Sequence, residues 1–195
     1  MKKTIIALLL FALFLSGCAE KGKNSSKKIP LEELPAEYSL EDAKKDGLVV
    51  MEDGSASSGK DIWYDFVRRT GKGESTEVRL CMYYTLGSPD SYSRELYESL
   101  KDEYPKLFVL DLSFDGSEYH IRHFEEGKEI SDSFKYLMKY EGEPRSTTAV
   151  YSHYVRYVLT NDESVLWEDI EDALVSSRLG AGIRHMSVYT ELTYK

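Results

Sequence analysis

The chain has 195 residues, with 34 acidic against 25 basic side chains and a net charge of −9. So acidic a protein lacks the basic stripe that nucleic acid requires, and no nucleic-acid partner is expected. Its two cysteines, Cys18 and Cys81, exclude a disulfide framework, and its length is ample for one hydrophobic core.

Lys2 and Lys3 precede an unbroken apolar run over residues 5–15. A membrane-spanning helix needs roughly 20 apolar residues, so the run has the length of a signal-peptide core. It ends in Leu15-Ser16-Gly17-Cys18, which resembles the lipobox of bacterial lipoproteins. That resemblance implies cleavage between Gly17 and Cys18, a diacylglycerol thioether on Cys18, and fatty acylation (palmitate) of the new N-terminus. The plainer alternative is an ordinary secretory signal whose cysteine is incidental; the lipobox reading is preferred. Residues 1–17 are then a signal peptide and residues 18–37 a lipidated tether.

The tether is rich in Lys, Ser and Gly, and such a segment cannot bury enough surface to offset its chain entropy, so disorder is expected. Lys21, Lys23, Lys27 and Lys28 each add about 1 kcal/mol of attraction to anionic headgroups. Two acyl chains and a basic stretch make lasting attachment. Residues 29–35 read as an extended leader into the folded part. The expected address is the extracytoplasmic face of the cell membrane, with membrane lipid held through the acylated N-terminus. With Cys18 acylated, Cys81 is the only thiol left.

Residues 38–195 read as a single α+β domain. Ser39 and Asp42 form a capping-box pattern for a short helix that closes at Gly47. A brief apolar run over 48–51 predicts a buried strand. Ile62, Trp63, Phe66 and Val67 fall at helical spacing in a second helix that ends at Gly71. Residues 76–85 alternate as a strand, with Val78, Leu80, Met82 and Tyr84 on one face and Arg79, Cys81 and Tyr83 on the other. A helix is expected over 91–104.

Strands over 107–114 and 118–124 flank Asp115-Gly116, a two-residue turn pattern. That turn sets Leu112 opposite Tyr119, Leu110 opposite Ile121 and Asp111 opposite His120. A third strand over 133–140 completes an antiparallel meander spanning about 107–140. Residues 151–159 fit helix and strand alike, with a strand favoured over 156–159. A helix over 164–178 and a last strand over 183–192 finish the domain. The expectation is an antiparallel sheet packed with several short helices.

Chemistry-bearing patterns are sparse. On a strand, His120 and His123 point to opposite faces, which argues against a shared metal. Cys81 lies beside Arg79, and a cation lowers a thiol pKa, yet a lone strand cysteine is usually core. His153 and His185 stand alone, and Ser176-Ser177 lacks a nucleophile elbow. Gly71-Lys72-Gly73 lacks the rest of a phosphate loop. Glu168, Asp169, Glu171 and Asp172 lack EF-hand spacing. Fifteen tyrosines suit half-buried sheets or a binding groove, for which Tyr83, Tyr84, Tyr151 and Tyr154 are candidates. No catalytic, cofactor-binding or metal residues are assigned.

The lipobox, the strand over 78–85 and the tail stretches 157–160, Trp167-Glu168-Asp169-Ile170, Ser176-Ser177 and 185–189 together resemble small lipoproteins of Gram-positive bacteria that carry a domain of unknown function. The resemblance implies a membrane anchor and brings no catalytic residues across. The expected function is an anchored, non-catalytic binding or interaction module. An envelope protein or peptide is the kind of partner it admits. The alternative is an envelope hydrolase or thiol enzyme using Cys81, or His153 with a serine.

Overall fold

Apolar alternation marks strands and helical spacing marks helices, and the computed structural model, which describes residues 28–176 and 182–195, has the expected α+β architecture. Its helices are α1 (Leu40–Lys45), α2 (Lys60–Thr70), α3 (Arg94–Leu100) and α4 (Trp167–Val175). Its strands are β1 (Val49–Glu52), β2 (Ser55–Ser58), β3 (Thr76–Tyr84), β4 (Lys106–Phe114), β5 (Tyr119–Glu125), β6 (Lys128–Phe134), β7 (Tyr136–Gly142), β8 (Tyr151–Thr160) and β9 (His185–Tyr194). The larger sheet has the order β2-β1-β3-β4-β5-β6 and the smaller the order β7-β8-β9. The larger one is mixed, because β1 and β3 run parallel. A parallel pair needs a crossover, and α2 supplies it.

Local chemistry explains the elements. Ser39 and Asp42 make the reciprocal capping box at the start of α1. Gly59, with φ +72°, precedes α2 where an added Cβ would stand 2.6 Å from the Leu48 carbonyl, so the tight β2–α2 corner needs a residue without a side chain. On α2, Trp63 and Phe66 face inward and pack between the two sheets. They share one buried core with Val49, Leu80, Leu112 and Ile121 of the larger sheet and Tyr157, Leu159, Val188 and Tyr189 of the smaller. Trp63 stacks on Tyr189 with centroids 4.6 Å apart and meets the edge of Tyr157 at 5.3 Å. Each such fully buried side chain contributes about 1.5–3 kcal/mol. On the outer face of the smaller sheet, the Arg156 guanidinium lies between Trp167 and Tyr154, at 4.7 and 5.2 Å from their ring centres.

Several expectations need correction. The meander's third strand is β6, and the strand expected over 133–140 straddles a corner at Lys135, where the chain leaves one sheet and enters the other. The Lys135 N–H donates to Asn161 Oδ1 at 3.1 Å there. As an exposed edge strand, β6 carries no apolar alternation to read. The β4–β5 connection is a four-residue loop, in which Asp115 Oδ1 accepts from the N–H groups of Ser117 and Glu118 at 2.8 and 2.9 Å. Pairing therefore moves by two residues: Leu112 faces Ile121, and Asp111 faces Arg122 in place of His120.

The helix expected over 91–104 shrinks to α3, because Ser93 caps it and Tyr104, ahead of Pro105, is extended. The 151–159 stretch is a strand along its whole length. Asp162 holds Ser164 in a turn, so the last helix starts at Trp167. It stops at Val175, short of the expected Arg178, because Ser176 is already extended; the signal peptide, Gly17, Cys18 and the tether as far as residue 27 lie outside the described residues. From residue 28 onward, the leader expected to be extended is docked instead. It makes a short 3₁₀ turn over Leu31–Glu33 that buries Leu31.

This packing sets one expectation for stability. Trp63→Ala should lower the unfolding free energy by about 3–5 kcal/mol in urea titrations. Leu174→Ala, at a position 67% exposed, should stay within about 0.5 kcal/mol of the wild type.

Candidate functional site

Strand alternation puts Val78, Leu80, Leu110 and Leu112 into the core and turns Arg79, Cys81, Val109 and Asp111 to the other face of the sheet. The β3–β4 and β4–β5 registers then align Arg79, Asp111 and Arg122 in one row across three strands. Arg79 and Asp111 are each only 8% exposed. Arg79 grips the carboxylate with two bonds, Nε to Oδ1 and Nη2 to Oδ2, both 2.8 Å. Arg122 Nη2 stands 3.5 Å from Oδ2.

The docked N-terminal segment, residues 28–38, completes the row and is called the strap below. Lys28 Nζ lies 2.8 Å from Asp111 Oδ1 and 3.3 Å from Glu77. The Ile29 carbonyl accepts from Arg79 Nη1. Burial alone raises the Asp111 pKa, but the bonds from Arg79 and Lys28 outweigh it and hold the carboxyl below its ordinary value.

The strap covers the outer face of the sheet incompletely. A cavity of about 410 Å³ remains between the strap, the α1–β1 turn, α2 and β3. Ile29, Leu34, Leu48 and Ile62 give it apolar walls, and Lys28, Asp46, Glu77 and Tyr38 a polar rim. The Tyr38 hydroxyl donates to Asp46 Oδ2 at 2.9 Å. Burial and this acceptor push its pKa up, so it remains a donor at neutral pH. A second cavity of about 390 Å³ lies on the other side of the strap, against Leu107, Val109 and Phe124. Leu34 and Tyr38 line both. Volumes of this size, apolar walls and a few convergent polar groups are the marks of a small-ligand site.

The residues singled out from the sequence are scattered. Cys81 is fully buried beside Ala43, Leu48 and Val50. Burial, then the nearby Glu52 charge, pushes its thiol up to about 11. A reactive thiol requires the opposite environment, exposed and electropositive. His120 bonds Asp115 Oδ2 and Ser133 Oγ, each at 3.0 Å. His123 stands on the opposite strand face, 3.6 Å from Glu125. His153 lies 3.5 Å from Glu141, and His185 Nδ1 is 2.7 Å from the Ile183 carbonyl. Tyr151 and Tyr154 touch edge to face on β8, whereas Tyr83 and Tyr84 lie on β3 of the other sheet. The acidic run on α4 is structural in part: Asp169 accepts from the Leu166 N–H at 3.0 Å, and Arg145 pairs with Asp172 at 2.8 Å. Among the described residues, no group of three or more His, Cys, Asp or Glu side chains is placed to hold a metal ion. Nor is any helix there long and apolar enough to cross a membrane.

The strap site was hidden in the sequence by the hairpin register. A two-residue turn pairs Asp111 with His120, and only the four-residue loop brings Arg122 opposite it. The available signal was Arg79 and Asp111, each a charged residue flanked on both sides by apolar ones in its strand. No family model, curated protein or solved structure matches the chain.

A depressed carboxyl pKa stabilises the fold above the unfolded value, about 3.9 for Asp, and that contribution is lost as pH falls below it. Urea midpoints should therefore drop on acidification from neutral pH, and Asp111→Asn should drop less. At neutral pH that variant should lose about 3–5 kcal/mol, because the buried Arg79 loses its counter-charge, whereas Arg122 keeps Glu129 at 3.3 Å. For Cys81, alkylation followed by peptide mass mapping should find no modification in the native protein and full modification in urea.

Proposed function

We propose that the chain is a membrane-anchored, extracytoplasmic lipoprotein whose folded domain binds a ligand without transforming it. The observation that carries this reading is the N-terminal pattern itself: Lys2 and Lys3, the apolar run over 5–15, and Leu15-Ser16-Gly17-Cys18. The run is too short to span a bilayer, and the small residues before Cys18 suit lipidation and cleavage there. The acidity of the chain supports an exterior domain held at a negative surface by its anchor. The resemblance to Gram-positive lipoproteins points the same way.

The binding role is supported by the cavity beside the strap. Its walls suit an apolar body, and its rim offers both carboxylates and a lysine for orientation. An envelope peptide presenting a large side chain fits this description, as does a small amphiphile. The burial of Cys81 speaks against the thiol version of the enzymatic alternative.

Metabolic labelling with palmitate in a bacterial host tests the anchor. The wild type should take up label and sediment with membranes. Cys18→Ala should lose the label and move to the soluble fraction; a variant that stays labelled and membrane-bound overturns the assignment.

A further inference from the structure

The strap lies along the sheet without being part of it. Its backbone bonds are local, from Glu33 to Pro30, Leu34 to Leu31 and Tyr38 to Pro35, and none joins the backbone of a strand. Three close contacts hold it, and Glu32 adds a longer ion pair to Arg122 at 3.9 Å. One is the charge clasp of Lys28 and Ile29 on Asp111 and Arg79. The second is Leu31, 6% exposed, and the third is the Tyr38–Asp46 bond. Between them Glu32, Glu33 and residues 35–37 are exposed, and a cavity opens on each side.

From these contacts we propose that residues 28–38 are a gate over the cavity beside β3, clasped shut by Lys28 on Asp111. The proposal rests on reading the domain as a binding module and concerns how its site is opened. What makes the gate reversible is the charge arrangement beneath it. When Lys28 and Ile29 leave, Asp111 keeps both bonds from Arg79 and its neighbour Arg122, so the sheet retains its compensated carboxylate. The two ends of the clasp are thus unequal: the sheet side is satisfied open or closed, and only the strap side gains by docking. No strand bond is broken by lifting, and segments of this kind open at free energies well below global unfolding. The same strap continues toward Cys18, so the attached end of the chain forms one wall of the ligand cavity.

Hydrogen exchange on the full-length, detergent-solubilised protein, read by mass spectrometry, tests the clasp. In Lys28→Gln, strap peptides over 28–38 should exchange about tenfold faster while peptides from β3, β4 and β5 keep wild-type rates. Lys28→Arg, which restores the cation, should return the strap to wild-type exchange. Unchanged strap exchange in Lys28→Gln overturns the gate, and so does a rise shared equally by strap and sheet. The cavity is probed separately with the dye anilinonaphthalene sulfonate. Its association should be faster in Lys28→Gln, and Ile62→Trp, which fills the cavity, should abolish its binding. Dye binding that survives Ile62→Trp sinks the cavity reading and the gate with it. Cavity-dependent binding whose rate ignores Lys28→Gln sinks the gate alone.

Discussion

A carboxylate taken out of water must be met by cations and donors, and the outer face of the larger sheet is arranged to meet Asp111. That requirement reaches far along the chain. Arg79 must lie opposite it on β3 and Arg122 on β5, which fixes the pairing of three strands. The β4–β5 register depends in turn on the four-residue loop that Asp115 ties together. A one-residue slip would turn every side chain of the strand to the other face and bring Leu110 and Leu112 out of the core. The charge row and the apolar core thus enforce the same register from opposite sides of the sheet.

The two faces are held by different physics. Inside, α2 is wedged between the sheets, and Trp63 meets the rings of Tyr157 and Tyr189 from the smaller sheet and of Phe66 from its own helix. Apolar contacts of that kind are dense and leave little free volume. Outside, a few charges, one leucine and one tyrosine hold a strap of eleven residues against strands that are only partly apolar. Directional bonds fix such a segment at points, not along its length, and the space between the points is where the cavities lie.

Much of the fold was legible. The Ser39–Asp42 cap, the spacing of Trp63 and Phe66, and the alternation of Val78, Leu80 and Met82 each state their element locally, and each element stands where expected. What was illegible depended on partners distant in sequence. An exposed edge such as β6 has no buried face, so its residues carry no period. Loop length between β4 and β5 could not be read from Asp115-Gly116 alone, because the side chain of Asp115 extends the turn by bonding two residues further on. Docking of the strap was the least readable feature. Lys28 looks like one more tether lysine until Asp111 is known to be buried and to lie beneath it.

The corner at Lys135 bears on how this chain can be divided. Because β6 and β7 are one length of chain with a single residue between them, the smaller sheet is not an appendage joined by a linker. A fragment ending at Phe134 would keep all six strands of the larger sheet and still lose Tyr157, Leu159, Val188 and Tyr189 from around Trp63. The residues after the corner, taken alone, would present those same side chains to water. A cut at the corner therefore opens the same core from both sides, because the buried residues around Trp63 are drawn from both sheets.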